Sequence, residues 1–331
     1  MVSILLASYN GAPYIAAQID SILQQTFRDF MLYIRDDCSN DGTWEIVQAY
    51  AAKEPDRIVA LQNEENSGSA KHNFFKMMQE HQDNYVMLCD QDDVWHPDKI
   101  EKTLSAMRKA EARDGEKTPL LVHTDLAVVN DQLEVMDPSY RHAVNGNWQR
   151  TDLHYELAQN TVTGCTAMYN RALGEFLQRE PSFFVMHDWW GALIASAFGR
   201  IVLLDEATMR YRQHGDNAVG AKFVRSPHYL LGRLLNVKGY RRELAETFLQ
   251  SESFYDVFWS RLSPAQQALT AGYGHLAQAG WLHRRWFQMK NRTVKYGATK
   301  KIAGFCALRR TDRSSLRNVE PDCRIARFLR G

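Results

Sequence analysis

The chain has 331 residues, 45% apolar and 24% charged, a composition that excludes anything but a globular protein with an ordinary core and a length that suffices for two domains. The formal net charge of +1 hides a strong asymmetry, because residues 222–331 hold 21 Lys and Arg against 7 Asp and Glu. The remainder is correspondingly acidic, the pattern of a cation-binding part joined to a part that meets an anionic partner.

Residues 2–7 form an apolar run that ends in Ser8-Tyr9-Asn10-Gly11, which predicts a strand entering a turn. Residues 14–25 have helical spacing through Ile15, Ile19, Ile22 and Leu23. A second strand over 30–34 ends in Arg35-Asp36-Asp37-Cys38-Ser39, and a helix over 43–53 follows, with Asp41 as its expected cap. Strand 57–62, helix 70–81 and strand 85–89 come next. The last of these strands runs into Asp90-Gln91-Asp92-Asp93, and Pro97 opens a helix to about residue 112. Four successive β–α units predict an α/β fold with a doubly wound, mostly parallel sheet. Such sheets bind ligands at the carboxyl ends of their strands, where the polar strings above converge.

Beyond residue 119 the pattern is less regular. Strands are expected over 120–130, 160–169, 201–204 and 208–212. From about residue 222 the chain reads as helical, with Leu230, Leu231, Leu234 and Leu235 on one face and Tyr240, Leu244 and Phe248 at i, i+4 spacing. Residues 281–310 mix Trp281, Trp286, Phe287 and Phe305 with many Lys and Arg. The five cysteines are odd in number and lack C-x-x-C spacing, which argues against a disulfide framework or zinc site and fits a reducing cytosol. The N-terminal run has no basic region and is too short for a signal peptide. No apolar run has the length of a membrane span, so membrane contact is expected to be peripheral.

Three carboxylates at one strand end repel each other, and a hard divalent cation, Mn²⁺ or Mg²⁺, removes that repulsion. For Asp90, Asp92 and Asp93 this outweighs a capping role. Asp36-Asp37 suits either a nucleotide base or an Asx-turn. The loop Asn66-Ser67-Gly68-Ser69, with Lys71 beyond it, could meet an anion at a helix N-terminus. Met186-His187-Asp188-Trp189-Trp190 offers either a general base in a sugar pocket or a helix cap beside core tryptophans. Arg210, Arg212 and His214 alternate on a predicted strand and suit a diphosphate, or a solvated face. The basic, aromatic C-terminal part suits an anionic membrane surface or a solvated helical face, and no nucleic-acid motif is visible.

The strings Ala7-Ser8-Tyr9-Asn10-Gly11, Gln24-Gln25-Thr26, Ile34-Arg35-Asp36-Asp37-Cys38-Ser39-Asn40-Asp41-Gly42-Thr43 and Asp90-Gln91-Asp92-Asp93-Val94-Trp95 continue with His123-Thr124-Asp125-Leu126, Asn160-Thr161-Val162-Thr163-Gly164, His187-Asp188-Trp189 and Tyr211-Arg212-Gln213-His214. In that order they resemble inverting family 2 glycosyltransferases of the GT-A fold, and more closely bacterial rhamnosyltransferases of cell-wall and surface polysaccharides. The resemblance implies that Ser8, Tyr9 and Asp37 hold a nucleoside. Asp90, Asp92 and His214 would surround a Mn²⁺ or Mg²⁺ ion, with Asp93 close to the donor sugar. Asp188 would be the general base, and Arg212 would contact the diphosphate. Asn10, Gly68, Lys71, Gln91 and Trp189 complete the expected donor site. Cys38 stands where glycine is commoner, a departure expected to be silent.

The implied reaction moves a sugar, L-rhamnose from dTDP-L-rhamnose first, to a hydroxyl of a lipid-linked glycan, at the inner face of the plasma membrane. UDP-glucose or UDP-galactose is the alternative donor, and a non-catalytic glycan- or nucleotide-binding scaffold the alternative role. A homodimer is compatible with the sequence. The expected division is a nucleotide-sugar-binding domain over 1–221 and a basic helical region over 222–331. A further rival is a phosphatase, because Asp90-Gln91-Asp92-Asp93-Val94 fits a D-x-D-x-[TV] nucleophile motif, although that motif normally follows the first strand of its domain.

Overall fold

The computed structural model describes residues 1–144, 148–214 and 237–296. They fall into two compact units. The first comprises residues 1–144, 162–178 and 198–214 and the second residues 148–161, 179–197 and 237–296. The boundary expected at 221/222 and the leucines at 230–235 lie outside the described residues, as does everything beyond 296.

The first unit opens with β1 (Val2–Ser8), α1 (Ile15–Leu23), β2 (Phe30–Asp36), α2 (Thr43–Lys53), β3 (Ile58–Gln62), α3 (Ala70–Glu80) and β4 (Tyr85–Cys89). All seven residues of β1 are buried, as a strand flanked by neighbours on both sides requires. The four strands are parallel in the order β3-β2-β1-β4, with Ser8 beside Asp36 and Leu6 beside Cys89. Their carboxyl ends therefore share one edge, as the β–α alternation predicts. The unit continues with β5 (Val94–Trp95), α4 (Lys99–Asp114), β6 (Leu120–Val129), β7 (Val135–Asp137) and α5 (Tyr140–Val144). Two more strands, β8 (Met168–Asn170) and β9 (Arg200–Arg212), complete its sheet. The order runs on as β4-β8-β6-β9-β5, in which β6 and β9 are parallel and the other pairs antiparallel.

Three predicted strands differ from the structure. Of residues 160–169 only the end is extended, because Gly164–Thr166 make a 3₁₀ turn in which the Thr166 hydroxyl donates to Thr163 O at 2.7 Å. The two short strands over 201–212 are one strand, β9, whose register against β6 shifts between Thr124 and Ala127. The bulge absorbs Asp205-Glu206, the polar pair that reads as a turn.

The second unit is helical, with α6 (Leu153–Glu156), α8 (His187–Phe198, its last residue in the first unit), α9 (Val237–Phe258), α10 (Pro264–Gly274) and α11 (Trp281–Asn291); α7 (Arg171–Leu177) belongs to the first. Ser263 and Gln266 form a capping box at the start of α10, with Pro264 in the first turn. Tyr240, Leu244 and Phe248 are buried, as their spacing predicts. Trp190 packs on Phe254 and Phe258, with ring centroids 5.4 and 6.0 Å away. No described helix is long and apolar enough to cross a membrane.

Candidate active site

The edge of the first unit is tied together by hydrogen bonds between its loops. Ser8 Oγ donates to the Asp36 carboxylate at 3.2 Å. Beyond it, the Tyr9 N–H donates to Gln91 Oε1 and Gln91 Nε2 donates back to Tyr9 O, both at 2.9 Å. Gly11 makes this clamp fit, since a Cβ there would stand 2.3 Å from Gln91 Oε1. Asn10 adopts φ +47, with its N–H donating to Ser39 Oγ and its carboxamide oxygen accepting from Asn40 N. Asp41 does not cap α2 from the N-cap position, which Gly42 occupies; its carboxylate accepts from Thr43 N and from Ala12 N. The Tyr9 side chain stays 50% exposed, leaving a ring face available to a planar partner.

Asp37 is buried and spends its carboxylate on a loop. It accepts from Asn63 Nδ2 at 2.6 Å, Ser67 N at 2.8 Å and Ser67 Oγ at 2.7 Å. These bonds set the path of residues 63–69 toward α3, where Gly68 takes φ +82 and Lys71 lies in the first turn. Within the Asp36-Asp37 pair, the turn is made by Asp36, whose carboxylate accepts from Ser39 N at 2.9 Å. Asn63, directly after β3, obeys the same strand-end rule as the other site residues and was legible by it.

The acidic cluster follows β4. Asp93 is fully buried, with Oδ1 accepting from Arg212 N at 3.2 Å and Oδ2 without a hydrogen-bond partner among the described residues. Burial first, and then the charges of Asp92 and Asp90, push its carboxyl well above the usual range. Ligand atoms of Asp90, Asp93 and Cys165 lie within 4.8 Å of one another. The Cys165 thiol is itself pushed up by burial, so it stays protonated and leaves the carboxylates as the hard donors. An orphaned buried carboxylate oxygen among three carboxylates fits a divalent cation.

Asp92 faces the end of β9. His214 Nε2 lies 2.8 Å from Asp92 Oδ2, and its ring stacks on Tyr14 with centroids 4.4 Å apart. The Arg212 guanidinium lies 5.0 Å over the same Tyr14 ring and donates to Asp92 O and Asp131 O. Behind the cluster Lys99 is buried, donates to Thr208 Oγ1 at 3.3 Å, and is pulled down to about 8 by burial. Tyr14, Lys99, Asp131 and Cys165 carried no sequence signal, since each is a lone residue whose position only the tertiary fold decides. Asp125, in the string His123-Thr124-Asp125-Leu126, is structural: it accepts from Ser139 Oγ and Arg141 N.

Asp188 and Trp189 belong to the second unit. Asp188 sits in the first turn of α8, where its carboxylate accepts from Asn160 Nδ2 at 3.2 Å and Trp189 N at 2.7 Å. Trp189 Nε1 donates to Glu156 O at 2.7 Å, and Trp190 is core. Burial pulls His187 down to about 3, so it stays neutral. Glu156, invisible in the sequence, is fully buried beside Asp188 and pushed up to about 8 by burial; the Thr161 hydroxyl donates to it.

A family model described as glycosyl transferase family 2 matches residues 3–114. The dTDP-rhamnosyl transferase RfbG of Shigella flexneri is 28% identical over 253 residues, 73% of this chain and 82% of that protein. The UDP-Glc:alpha-D-GlcNAc-diphosphoundecaprenol beta-1,3-glucosyltransferase WfaP of Escherichia coli is 31% identical over 109 residues, 32% of this chain and 41% of that protein. Among solved structures, S. aureus TarS in complex with UDP-GlcNAc is similar in fold, with TM-score 0.51 and 18% identity over 88% of this chain and 89% of that one.

Proposed function

We propose that the chain is a family 2 glycosyltransferase of the GT-A fold, as the family match over residues 3–114 and the likeness to RfbG and TarS support, and that it is a metal-dependent, inverting enzyme whose first donor is dTDP-L-rhamnose and whose acceptor is a hydroxyl of a lipid-linked glycan. The observation that carries the metal-dependent reading is the acidic cluster after β4, in which ligand atoms of Asp90, Asp93 and Cys165 lie within 4.8 Å of one another and Asp93 Oδ2 has no hydrogen-bond partner among the described residues. Rhamnose rests on the likeness to RfbG, and UDP-glucose is the alternative that the likeness to WfaP supports. The phosphatase reading is dropped, since the cluster follows β4 and not a first strand.

In this mechanism Ser8, Tyr9, Asn10 and Asp37 seat the nucleoside, the first two by the β1 edge and Asp37 through the loop it shapes. Asp90, Asp92 and His214, with the buried Asp93 carboxylate beside them, would hold Mn²⁺ or Mg²⁺, which when bound offsets the negative charge of a diphosphate leaving group. Arg212, fixed by two backbone carbonyls, and Lys71, at the start of α3 with Gly68, add fixed positive charge for the same oxygens. Asp188, oriented by Asn160, takes the proton of the acceptor hydroxyl as its oxygen attacks the anomeric carbon. The carbon–diphosphate bond breaks on the opposite face, which inverts the centre. Trp189 and Gln91 hold the flanking backbone. The basic C-terminal part is read as a peripheral contact with an anionic membrane surface.

The test is transfer from a panel of dTDP-rhamnose, UDP-glucose, UDP-galactose and GDP-mannose by wild type and Asp188→Asn. Turnover with dTDP-rhamnose alone is the expected result, lowered at least ~100-fold in the variant with donor binding retained, the usual scale for a lost general base. Preference for UDP-glucose would replace the donor, and near-normal turnover in the variant would remove Asp188 from its role.

A further inference from the structure

The second unit contains a cavity of about 520 Å³ that donor chemistry does not use. Tyr240 and Leu244 of α9, Tyr273 of α10 and Gln288 of α11 line it, and residues 292–295 close it. Four cations line it as well, Arg150, Arg285, Arg292 and Lys295, and no carboxylate does. The nearby counter-charges stand behind them: Glu243 pairs with Lys295 at 3.3 Å, and Asp152 lies near Arg150 and Arg292 around His154.

Two of the cations rest on rings. The Arg150 guanidinium lies 4.6 Å from the Tyr155 centroid and 5.2 Å from that of Tyr296, and Lys295 Nζ lies 5.1 Å from that of Tyr240. Stacking fixes these charges before any ligand arrives. A second observation points to a ligand independently. Thr293 lines the cavity, is fully buried, and its hydroxyl has no hydrogen-bond partner among the described residues. Most buried hydroxyls have a hydrogen-bond partner, and among the described residues this one has none.

We propose that this cavity binds a phosphate or diphosphate ester carried on an apolar chain. The cations and the Thr293 hydroxyl select a phosphate group. Leu244, Ala158, Val294 and the tyrosine faces give the attached chain an apolar wall that a free, strongly hydrated phosphate does not need. The volume suits one small amphiphile and is too small for a nucleic acid. One short stretch links this site to the chemistry. Tyr155 and Ala158 form cavity wall, while Glu156 between them lies against Asp188. The inference rests on the glycosyl-transfer reading for its purpose, because such an ester is the carrier end of a lipid-linked acceptor.

The test is calorimetric titration of the full chain with farnesyl diphosphate, farnesol and inorganic diphosphate. Farnesyl diphosphate is expected to bind at least ten-fold more tightly than either fragment. Arg150→Ala with Arg292→Ala weakens it at least ten-fold, and Thr293→Val, an isosteric change that leaves the fold intact, weakens it several-fold. Donor binding, read separately by thermal shift with dTDP-rhamnose and Mn²⁺, is unchanged in both variants. Equal binding of inorganic diphosphate, equal binding of farnesol, absence of binding, or binding indifferent to both variants each overturns the proposal. A chain that binds farnesyl diphosphate but no nucleotide sugar overturns the glycosyl-transfer reading and leaves the cavity assignment standing.

Discussion

At the scale of single residues, Cys38 is the clearest departure from expectation. It adopts φ +62, a conformation in which the Cβ of an L-residue crowds its own backbone at a cost of roughly 1–2 kcal/mol. That strain explains why glycine is commoner there. Cys38→Gly is expected to leave thermal stability within about 1 kcal/mol of wild type, since relief of strain offsets glycine's entropy. Cys38→Val, β-branched, is expected to lose about 2 kcal/mol; equal melting of the two variants would contradict the strain account. Glu156 carries a pH signature. Unfolded, its carboxyl ionises near 4.5, whereas folded it keeps its proton to about 8. Between those values the folded chain binds the extra proton, so this contribution is full below about pH 4.5 and is lost as pH rises through about 8. Relative to Glu156→Gln, wild-type stability is expected to fall by up to about 1 kcal/mol per pH unit from pH 5 to 8. A difference between the two that stays flat with pH would show that Glu156 is ionised throughout.

At the scale of elements, the site is a property of strand ends and the loops they feed. The Gln91 clamp on Tyr9 joins the loop after β4 to the loop after β1. Gly11→Ala puts its new methyl on the Gln91 carboxamide, the movable end of a flexible side chain, so the fold survives and the clamp does not. Losing the clamp is expected to weaken donor binding by roughly ten-fold and to lower the melting temperature by only a few degrees, the scale of two hydrogen bonds of about 1 kcal/mol each. Unaltered donor affinity would remove the clamp from the site. The parallel half of the sheet was legible because β1, β2 and β4 read as apolar runs ending in polar strings, and Asp90–Asp93 were legible because three carboxylates after such a run have few other uses. The end of β9 was legible too, though as a separate short strand, because the Asp205-Glu206 bulge mimics a turn. Tyr14, which both Arg212 and His214 use as a platform, was not legible: it reads as one more apolar residue opening α1. Glu156 was hidden for the same reason, since burial rather than spacing gives a lone glutamate its function.

At the scale of the whole molecule, the chain divides its chemistry between two units. The acidic cluster and the loops proposed to seat a nucleoside belong to the first, and the candidate base and a basic, aromatic-lined cavity belong to the second. Everything proposed for the first unit depends on one claim, that Asp90, Asp92 and Asp93 are arranged for a divalent cation rather than for each other. Donor binding is the most direct measurement: titration of wild type and Asp92→Asn with dTDP-rhamnose, in Mn²⁺ and again in EDTA. The account predicts binding in Mn²⁺ that EDTA abolishes and that Asp92→Asn weakens at least ten-fold, about 1.4 kcal/mol or more. Equal affinity with and without the metal, and in the variant, would contradict it.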